Sequence, residues 1–169
     1  MKPAPVKTYN LIFPIYAILL LSPALWILMI AGNFLVDSLV LLATLALMKT
    51  RNPGQIWKKS ILRIVAFGFL SDIIGSLVNT ILAFSGLTTV PQDISPYFWP
   101  GSALDTVPAI LIAGILLYLF NSRFSFRKTS LDTPERRKTA LALAIITAPW
   151  IMMIPMDAWS SFFALFRLG

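Results

Sequence analysis

Long apolar runs, separated by short polar segments, dominate this 169-residue chain. Most runs approach or exceed the ~20 residues that a helix needs to cross a bilayer. A spanning helix satisfies its own backbone hydrogen bonds, so the pattern predicts an all-α, polytopic membrane helical bundle that forms one integral membrane domain over 1–169. We expect about five transmembrane helices, at about 11–31, 33–50, 61–84, 103–120 and 139–154. An amphipathic C-terminal segment is expected at about 156–168.

The apolar region 11–48 leaves three interpretations open. It can form two helices joined by a tight turn at Gly32-Asn33, one hairpin-like or re-entrant unit, or a signal peptide cleaved near Ser22-Pro23-Ala24. The apolar run continues past Ala24, and a proline beside a cleavage site is unfavourable, which favours a retained helix. One helix over 11–48 would be about twice as long as a bilayer requires, which favours two helices.

Three polar segments carry helix-start signals. In Asn52–Gln55 we expect Asn as the N-cap, Pro at the first helical position and Gln closing a capping box. Ser102–Asp105 has the spacing of a second capping box. In Thr133–Glu135 the order Thr, Pro, Glu predicts that Thr133 caps the last helix, which then begins in water before it enters the membrane.

The positive charge indicates an orientation. If 2–7, 49–63 and 123–138 face the cytoplasm, 13 of the 14 Lys and Arg residues lie inside and only Arg167 lies outside. Five crossings with an N-in/C-out topology satisfy the positive-inside rule. The net charge of +7 is therefore interpreted as a topology signal and not as a nucleic-acid interface. We expect the protein to be integral to a plasma membrane, namely the bacterial cytoplasmic (inner) membrane.

The composition removes most catalytic chemistry. The chain has no Cys, so it has no disulfides and no thiolate metal sites. It has no His, which removes the usual zinc ligand and the base of a Ser–His pair. We therefore expect a protein that is not an enzyme and that has no cofactor and no metal centre.

The stretch from Gly68 to Thr80 places a carboxylate inside an apolar run. An Asp at the centre of a spanning helix costs about 3 kcal/mol to insert. At ~100° per residue, one helix face carries the small and polar side chains, namely Gly68, Asp72, Gly75, Ser76 and Asn79. The opposite face is apolar, with Phe69, Ile73, Leu77 and Ile81.

A second polar face lies on the preceding predicted helix, which carries Asp37 and Thr44. Counting ~1.5 Å per residue from the outer membrane face places Asp37 at the depth of Asn79, and Thr44 near Asp72. We expect these pairs to meet between antiparallel helices, with close backbone approach at Gly68 and Gly75.

Two interpretations of Asp72 remain open. In the structural one, a protonated Asp72 joins helices through Ser76, Asn79 or Thr44, in hydrogen bonds worth only ~0.6 kcal/mol on average. In the functional one, the carboxylate and its oxygen-bearing neighbours bind a cation, a proton or a small polar solute.

Two motifs carry a resemblance to a known family. Gly68-Phe-Leu-Ser-Asp-Ile-Ile-Gly75, followed later by Ser95-Pro-Tyr-Phe-Trp-Pro-Gly101 and an apolar helix, resembles the substrate-binding S subunits of energy-coupling-factor vitamin transporters. The resemblance implies a high-affinity vitamin pocket near the outer face and an ATPase module supplied by other chains.

The sequence predicts a small membrane transport protein, a channel or carrier component, whose intramembrane site consists of Asp72, Ser76, Asn79, Asp37 and Thr44. One alternative is an accessory or assembly subunit that docks partner helices through the polar stripe. Another is the solute-binding subunit of a multi-component vitamin transporter. The expected partners are the lipid bilayer and either further copies of the chain or a partner membrane subunit, with no nucleic acid.

Overall fold

A computed structural model describes residues 23–85 and 101–154, and these residues form helices and turns. The helices are α1 (Pro23–Leu47), α2 (Pro53–Ser85), α3 (Gly101–Phe120) and α4 (Thr133–Ile146). A π-helical turn follows α3 and a 3-10 turn follows α4, at Asn121–Ser125 and Trp150–Met153. The all-α prediction is confirmed for these ranges. Most of the predicted first helix, the segment 95–100 and the predicted C-terminal segment 156–168 lie outside the described residues.

Three of the helical segments are long and apolar enough to cross a membrane. They are Ile27–Leu47, Pro53–Leu82 and Ala103–Ser125, with 21, 30 and 23 residues. The chain is therefore compatible with an integral membrane protein. α4 has 14 residues, fewer than a straight crossing needs. The count of five crossings and the N-in/C-out orientation remain predictions.

The predicted turn at Gly32-Asn33 is wrong, because α1 runs through both residues from Pro23 to Leu47. Gly inside a helix costs only about 1 kcal/mol relative to Ala. Opening the backbone within lipid would leave polar groups without partners at several kcal/mol each. The helix therefore continues through a dipeptide that marks a turn in water.

α1 ends at Leu47 and not at the predicted residue 50, because Lys49 adopts a left-handed backbone conformation that ends the helix. Lys49 has a φ of 53°, its N–H donates to Ala46 O, and the Thr50 N–H donates to Leu45 O, both at 3.0 Å. These two bonds form the pattern that closes many helices, usually with Gly at the left-handed position.

The helix starts agree with the sequence in part. α2 begins at Pro53, as expected, and the Asn52 carbonyl accepts the N–H groups of Gln55 and Ile56 at 3.1 and 3.3 Å. The N-cap of α4 is Asp132 and not Thr133. Asp132 and Glu135 have the i, i+3 spacing that lets each side chain accept a hydrogen bond from the other's backbone N–H, at 2.7 and 3.1 Å.

The four helices form a ring in which each packs against two neighbours: α2 contacts α1 and α3, and α4 contacts α3 and α1. A buried apolar cluster fills one end of this ring. Its members come from all four helices and from the segment after the π-helical turn: Leu41, Leu45, Ile56, Ile64, Leu117, Phe126, Leu131, Ala140, Leu143 and Ala144. The basic segments 49–63 and 123–138 lie at the same end.

The outer surface of the ring is apolar, as expected for helices in lipid. Ile73, Leu77 and Ile81 on α2 are each 57% exposed, which confirms the predicted apolar face. The small and polar residues of α2 turn inward, where Ser71 and Asn79 are buried. Polar side chains are thus concentrated inside the bundle, and this arrangement positions the candidate site.

Candidate functional site

A buried carboxyl group lies at the centre of α1. Asp37 is the middle residue of the 21-residue span Ile27–Leu47, and its side chain is only 5% exposed. A Cβ atom placed on Gly68 of α2 would lie 3.7 Å from Asp37 Oδ2. The missing side chain at Gly68 therefore lets the Asp37 carboxyl group lie directly against α2.

A second carboxyl group follows one helical turn later on α2. Asp72 is close enough to Asp37 for the two carboxyl groups to interact electrostatically. Its Oδ1 atom is buried, and no hydrogen-bond partner reaches it from the described residues. A buried acceptor without a donor costs about 1–3 kcal/mol, and more when it is charged. Asp72 is therefore an unsatisfied group beside a like-charged neighbour.

The end of α4 supplies the third part of the site. Thr147 is the C-cap of α4, and both its N–H and its hydroxyl donate to Leu143 O at 2.8 Å. The Thr147 side chain also lies beside the Asp37 carboxyl group, so its hydroxyl oxygen is part of the site. Because the C-terminal end of a helix carries a partial negative charge, α4 presents its negative end to the Asp37 carboxyl group.

The sequence stretches that carry the site contain no basic residue that could balance this negative charge. The sequence has no Lys or Arg from 8 to 48, from 64 to 122, or from 139 to 166. Asp37, Asp72 and the C-terminal end of α4 all lie within these stretches. In a low-dielectric interior such an arrangement attracts a cation or a proton far more strongly than it would in water.

Two of the predicted site hydroxyls bond to their own helices. Ser76 Oγ donates to the Asp72 backbone carbonyl at 2.7 Å, and Thr44 Oγ1 donates to Val40 O at 2.7 Å. Each hydroxyl has a single proton, so neither donates to a carboxyl group in this arrangement. The structural interpretation, in which Ser76, Asn79 or Thr44 holds Asp72, therefore keeps only Asn79 as a candidate donor.

The predicted pairing of the two polar faces has the wrong register. Asp37 lies against Gly68, about three helical turns along α2 from Asn79. With the same offset between the helices, Thr44 lies about three helical turns from the level of Asp72. The depth count took Asn33 as the outer end of its helix, whereas α1 extends beyond Asn33 towards the N-terminus, at least to Pro23. Asn79 is buried at 8% exposure, and its role as a ligand, like those of Ser76 and Thr44, stays a prediction.

Gly75 lies on a different contact from Gly68. A Cβ atom there would lie 2.9 Å from Ala113 Cβ and 3.1 Å from Ala109 O, both on α3. Gly75 therefore serves the approach of α2 to α3, and only Gly68 serves the approach to α1. The sequence placed both glycines on the α1 side.

Sequence reasoning missed Thr147 and the contact that fixes α1 on α2. Trp57 Nε1 donates to Ser38 Oγ at 3.0 Å, and the Trp57 ring packs edge-on against Phe34 at 6.0 Å. Pro149 was the available signal for Thr147, because a proline inside an apolar run marks a helix that ends shortly before it.

Comparisons with protein-family models, with curated proteins and with solved structures find no match to this chain. The resemblance to S subunits gains no support from them. Within 23–85 and 101–154, no group of three or more His, Cys, Asp or Glu side chains is placed to hold a metal ion. The site is therefore described by its own chemistry: two carboxyl groups, a hydroxyl group and a helix end.

Proposed function

We propose that this chain is a small membrane transport protein, a channel or carrier component, in which Asp37 and Asp72 bind a proton or a small monovalent cation during its passage. The observation that carries the proposal is the buried, unpartnered Oδ1 of Asp72 beside a second carboxyl group. Carboxylate and hydroxyl oxygens are the ligands that hard cations prefer.

The energetics favour function over packing. Each Asp at the centre of a spanning helix costs about 3 kcal/mol to insert. A side-chain hydrogen bond between membrane helices returns only ~0.6 kcal/mol on average, and Oδ1 of Asp72 has none from the described residues. A bound proton or cation removes the repulsion between the carboxylates and satisfies this atom at the same time.

The short α4 supports a transport role. Its 14 residues rise about 21 Å, so a helix that begins at the membrane surface ends inside a hydrocarbon core of about 30 Å. In many secondary transporters, interrupted helices of this kind present their C-terminal ends to a cation near the bilayer midplane. Thr147, at the end of α4, is next to Asp37, the central residue of its span.

Ion flux in proteoliposomes tests this function. Imposed gradients of H⁺, Na⁺ and K⁺ would be followed with entrapped indicator dyes for the wild-type protein and for Asp72→Asn. Losing one charge from a buried ionic site costs about 3 kcal/mol or more. We therefore expect the flux of the transported ion to fall at least about 100-fold.

Asp132→Asn is the matched control. It makes the same chemical change outside the candidate spans, and Asn is as good an N-cap as Asp, so flux should be unchanged. Because a few short helices enclose little space, we expect the active form to be a homo-oligomer or a complex with a partner membrane subunit. The size-exclusion profiles of Asp72→Asn and Asp132→Asn should therefore match that of the wild type. Unchanged flux of Asp72→Asn with a lost oligomer would contradict transport and favour the helix-docking alternative.

A further inference from the structure

A cavity separate from the carboxyl site lies where α3 ends and α4 begins. Its volume is about 300 Å³. Its polar lining comes from the last turn of α3, the π-helical turn and the first turn of α4: Tyr118, Ser122, Arg123, Thr133, Arg136 and Arg137. Leu119 supplies an apolar wall.

The cavity is strongly cationic. Three of its lining side chains are arginines, and in the described part of the chain the lining includes no Asp or Glu. The acids nearest in sequence, Asp132 and Glu135, hold each other's backbone N–H groups in the cap of α4. Both carboxylates cap α4, and neither lines the cavity.

One of the arginines is held in place. Arg136 Nε donates to the carbonyl of Leu131 at 2.8 Å, and Leu131 belongs to the buried cluster. A guanidinium group held through Nε keeps its two terminal nitrogens as a donor pair, the geometry that matches two oxygens of one phosphate. Three neighbouring arginines with Tyr, Ser and Thr hydroxyls suit a phosphate group better than a single carboxylate.

The position of the cavity indicates which phosphate it meets. Tyr118 and Ser122 lie within the last two turns of the candidate span Ala103–Ser125, at the level where a helix leaves the hydrocarbon. Leu119 and Phe124 are 38% and 47% exposed, as expected for side chains that contact acyl chains. Basic pockets at this level between membrane helices bind the headgroups of anionic lipids.

We propose that this cavity binds the phosphate group of an anionic phospholipid headgroup through Arg123, Arg136 and Arg137. The inference is independent of the transport proposal, because it uses none of the residues of the carboxyl site. Lys58 and Lys59 are also exposed basic residues at this end, but they lie on the first turns of α2 and do not line the cavity. Replacing these two lysines removes the same charge as replacing two of the arginines, but leaves the cavity unchanged.

The test measures lipid binding to the purified full-length protein in detergent by native mass spectrometry. Dioleoyl phosphatidylglycerol and dioleoyl phosphatidylcholine would be titrated against the wild type, against Arg123→Gln with Arg137→Gln, and against Lys58→Gln with Lys59→Gln. We expect the wild type to prefer the anionic lipid. The arginine variant should bind it at least about 10-fold more weakly, and the lysine variant should stay within about 2-fold of the wild type.

Three results would overturn the proposal: equal losses in the two charge-matched variants, no preference for phosphatidylglycerol, or inorganic phosphate that binds as tightly as the lipid. The last result would assign the cavity to free phosphate. Ser122→Trp fills the cavity without changing charge, and it should produce the same loss as the arginine variant. This second variant keeps the test decisive if removal of two arginines prevents folding.

Discussion

The two contacts that α2 makes along its length are built differently. Against α3, the contact at Gly75 is so close that even a methyl group would lie 2.9 Å from Ala113 Cβ. Against α1, the contact at Gly68 leaves ordinary van der Waals space, 3.7 Å, and that space faces the Asp37 carboxyl group. One contact is made by small residues, and the other contains two carboxyl groups, one of them with an unpartnered oxygen.

This difference separates packing from function within one helix. Small residues that let backbones approach are sufficient to associate membrane helices. The α2–α3 contact uses this means, so α2 does not need carboxyl groups in order to pack. The acids on the α1 side therefore require another explanation, and binding of a proton or cation provides one. Each variant below changes one of the two contacts of α2 and leaves the other intact.

The largest effect is expected from Asp37→Asn, which removes the second carboxylate of the site. Ion flux in proteoliposomes should fall at least about 100-fold, as for Asp72→Asn. If the two carboxyl groups share one bound cation, the double variant should show little further loss, because groups that act as a unit are not additive.

Thermal unfolding in detergent is the control for Asp37→Asn. The amide has nearly the shape of the carboxyl group, and the α2–α3 contact is untouched, so the midpoint should match the wild type or rise. Full loss of flux in Asp72→Asn with normal flux in Asp37→Asn would contradict a shared site and would assign the function to Asp72 alone.

The next effect, on stability, is expected from Gly75→Ala. The added methyl group meets Ala113 Cβ and the Ala109 carbonyl, and the backbone atom cannot move aside without shifting α3. Such overpacking costs about 1–3 kcal/mol. The loss should appear as reduced resistance to unfolding in a titration from mild detergent to sodium dodecyl sulfate.

Gly68→Ala is the matched control, with the same added methyl group at ordinary contact distance from Asp37. Its unfolding free energy should stay within about 0.5 kcal/mol of the wild type. Equal losses in both glycine variants would show that the two sides of α2 are packed alike, against the comparison drawn above.

A smaller effect is expected from Trp57→Phe. This change removes the hydrogen bond from Nε1 to Ser38 and keeps an aromatic ring against Phe34. A single hydrogen bond of this kind contributes about 1 kcal/mol. The variant should unfold slightly more easily and retain its ion flux, because the bond fixes α1 on α2 without contacting either carboxyl group.

The helical class and the inward polar face of α2 could be predicted, since both follow from local sequence patterns. An apolar run with Asp72 and Asn79 at helical spacing has only one way to hide its polar groups in lipid. The exposed Ile73, Leu77 and Ile81 confirm this argument. The start of α2 could also be predicted from local sequence, because Pro53 is suited to the first position of a helix.

The register between helices could not be predicted in the same way. It depended on where α1 begins, and Gly32-Asn33 has the composition of a turn although both residues lie inside α1. Pro149 indicates that α4 ends near Thr147, but the approach of Thr147 to Asp37 depends on how α4 packs against α1, which local sequence does not encode. The arginine cavity similarly depends on the turn between α3 and α4, which brings residues 118–123 and 133–137 together.

Aqueous accessibility of position 72 is the most direct test of whether α2 carries a hydrated site. The chain has no Cys, so a single introduced thiol is labelled without background. In proteoliposomes, Asp72→Cys should react with a small water-soluble methanethiosulfonate reagent. Ile73→Cys, one residue further on the apolar face, should remain unlabelled. Labelling of Ile73→Cys alone, or of neither variant, would contradict a polar pathway at Asp72.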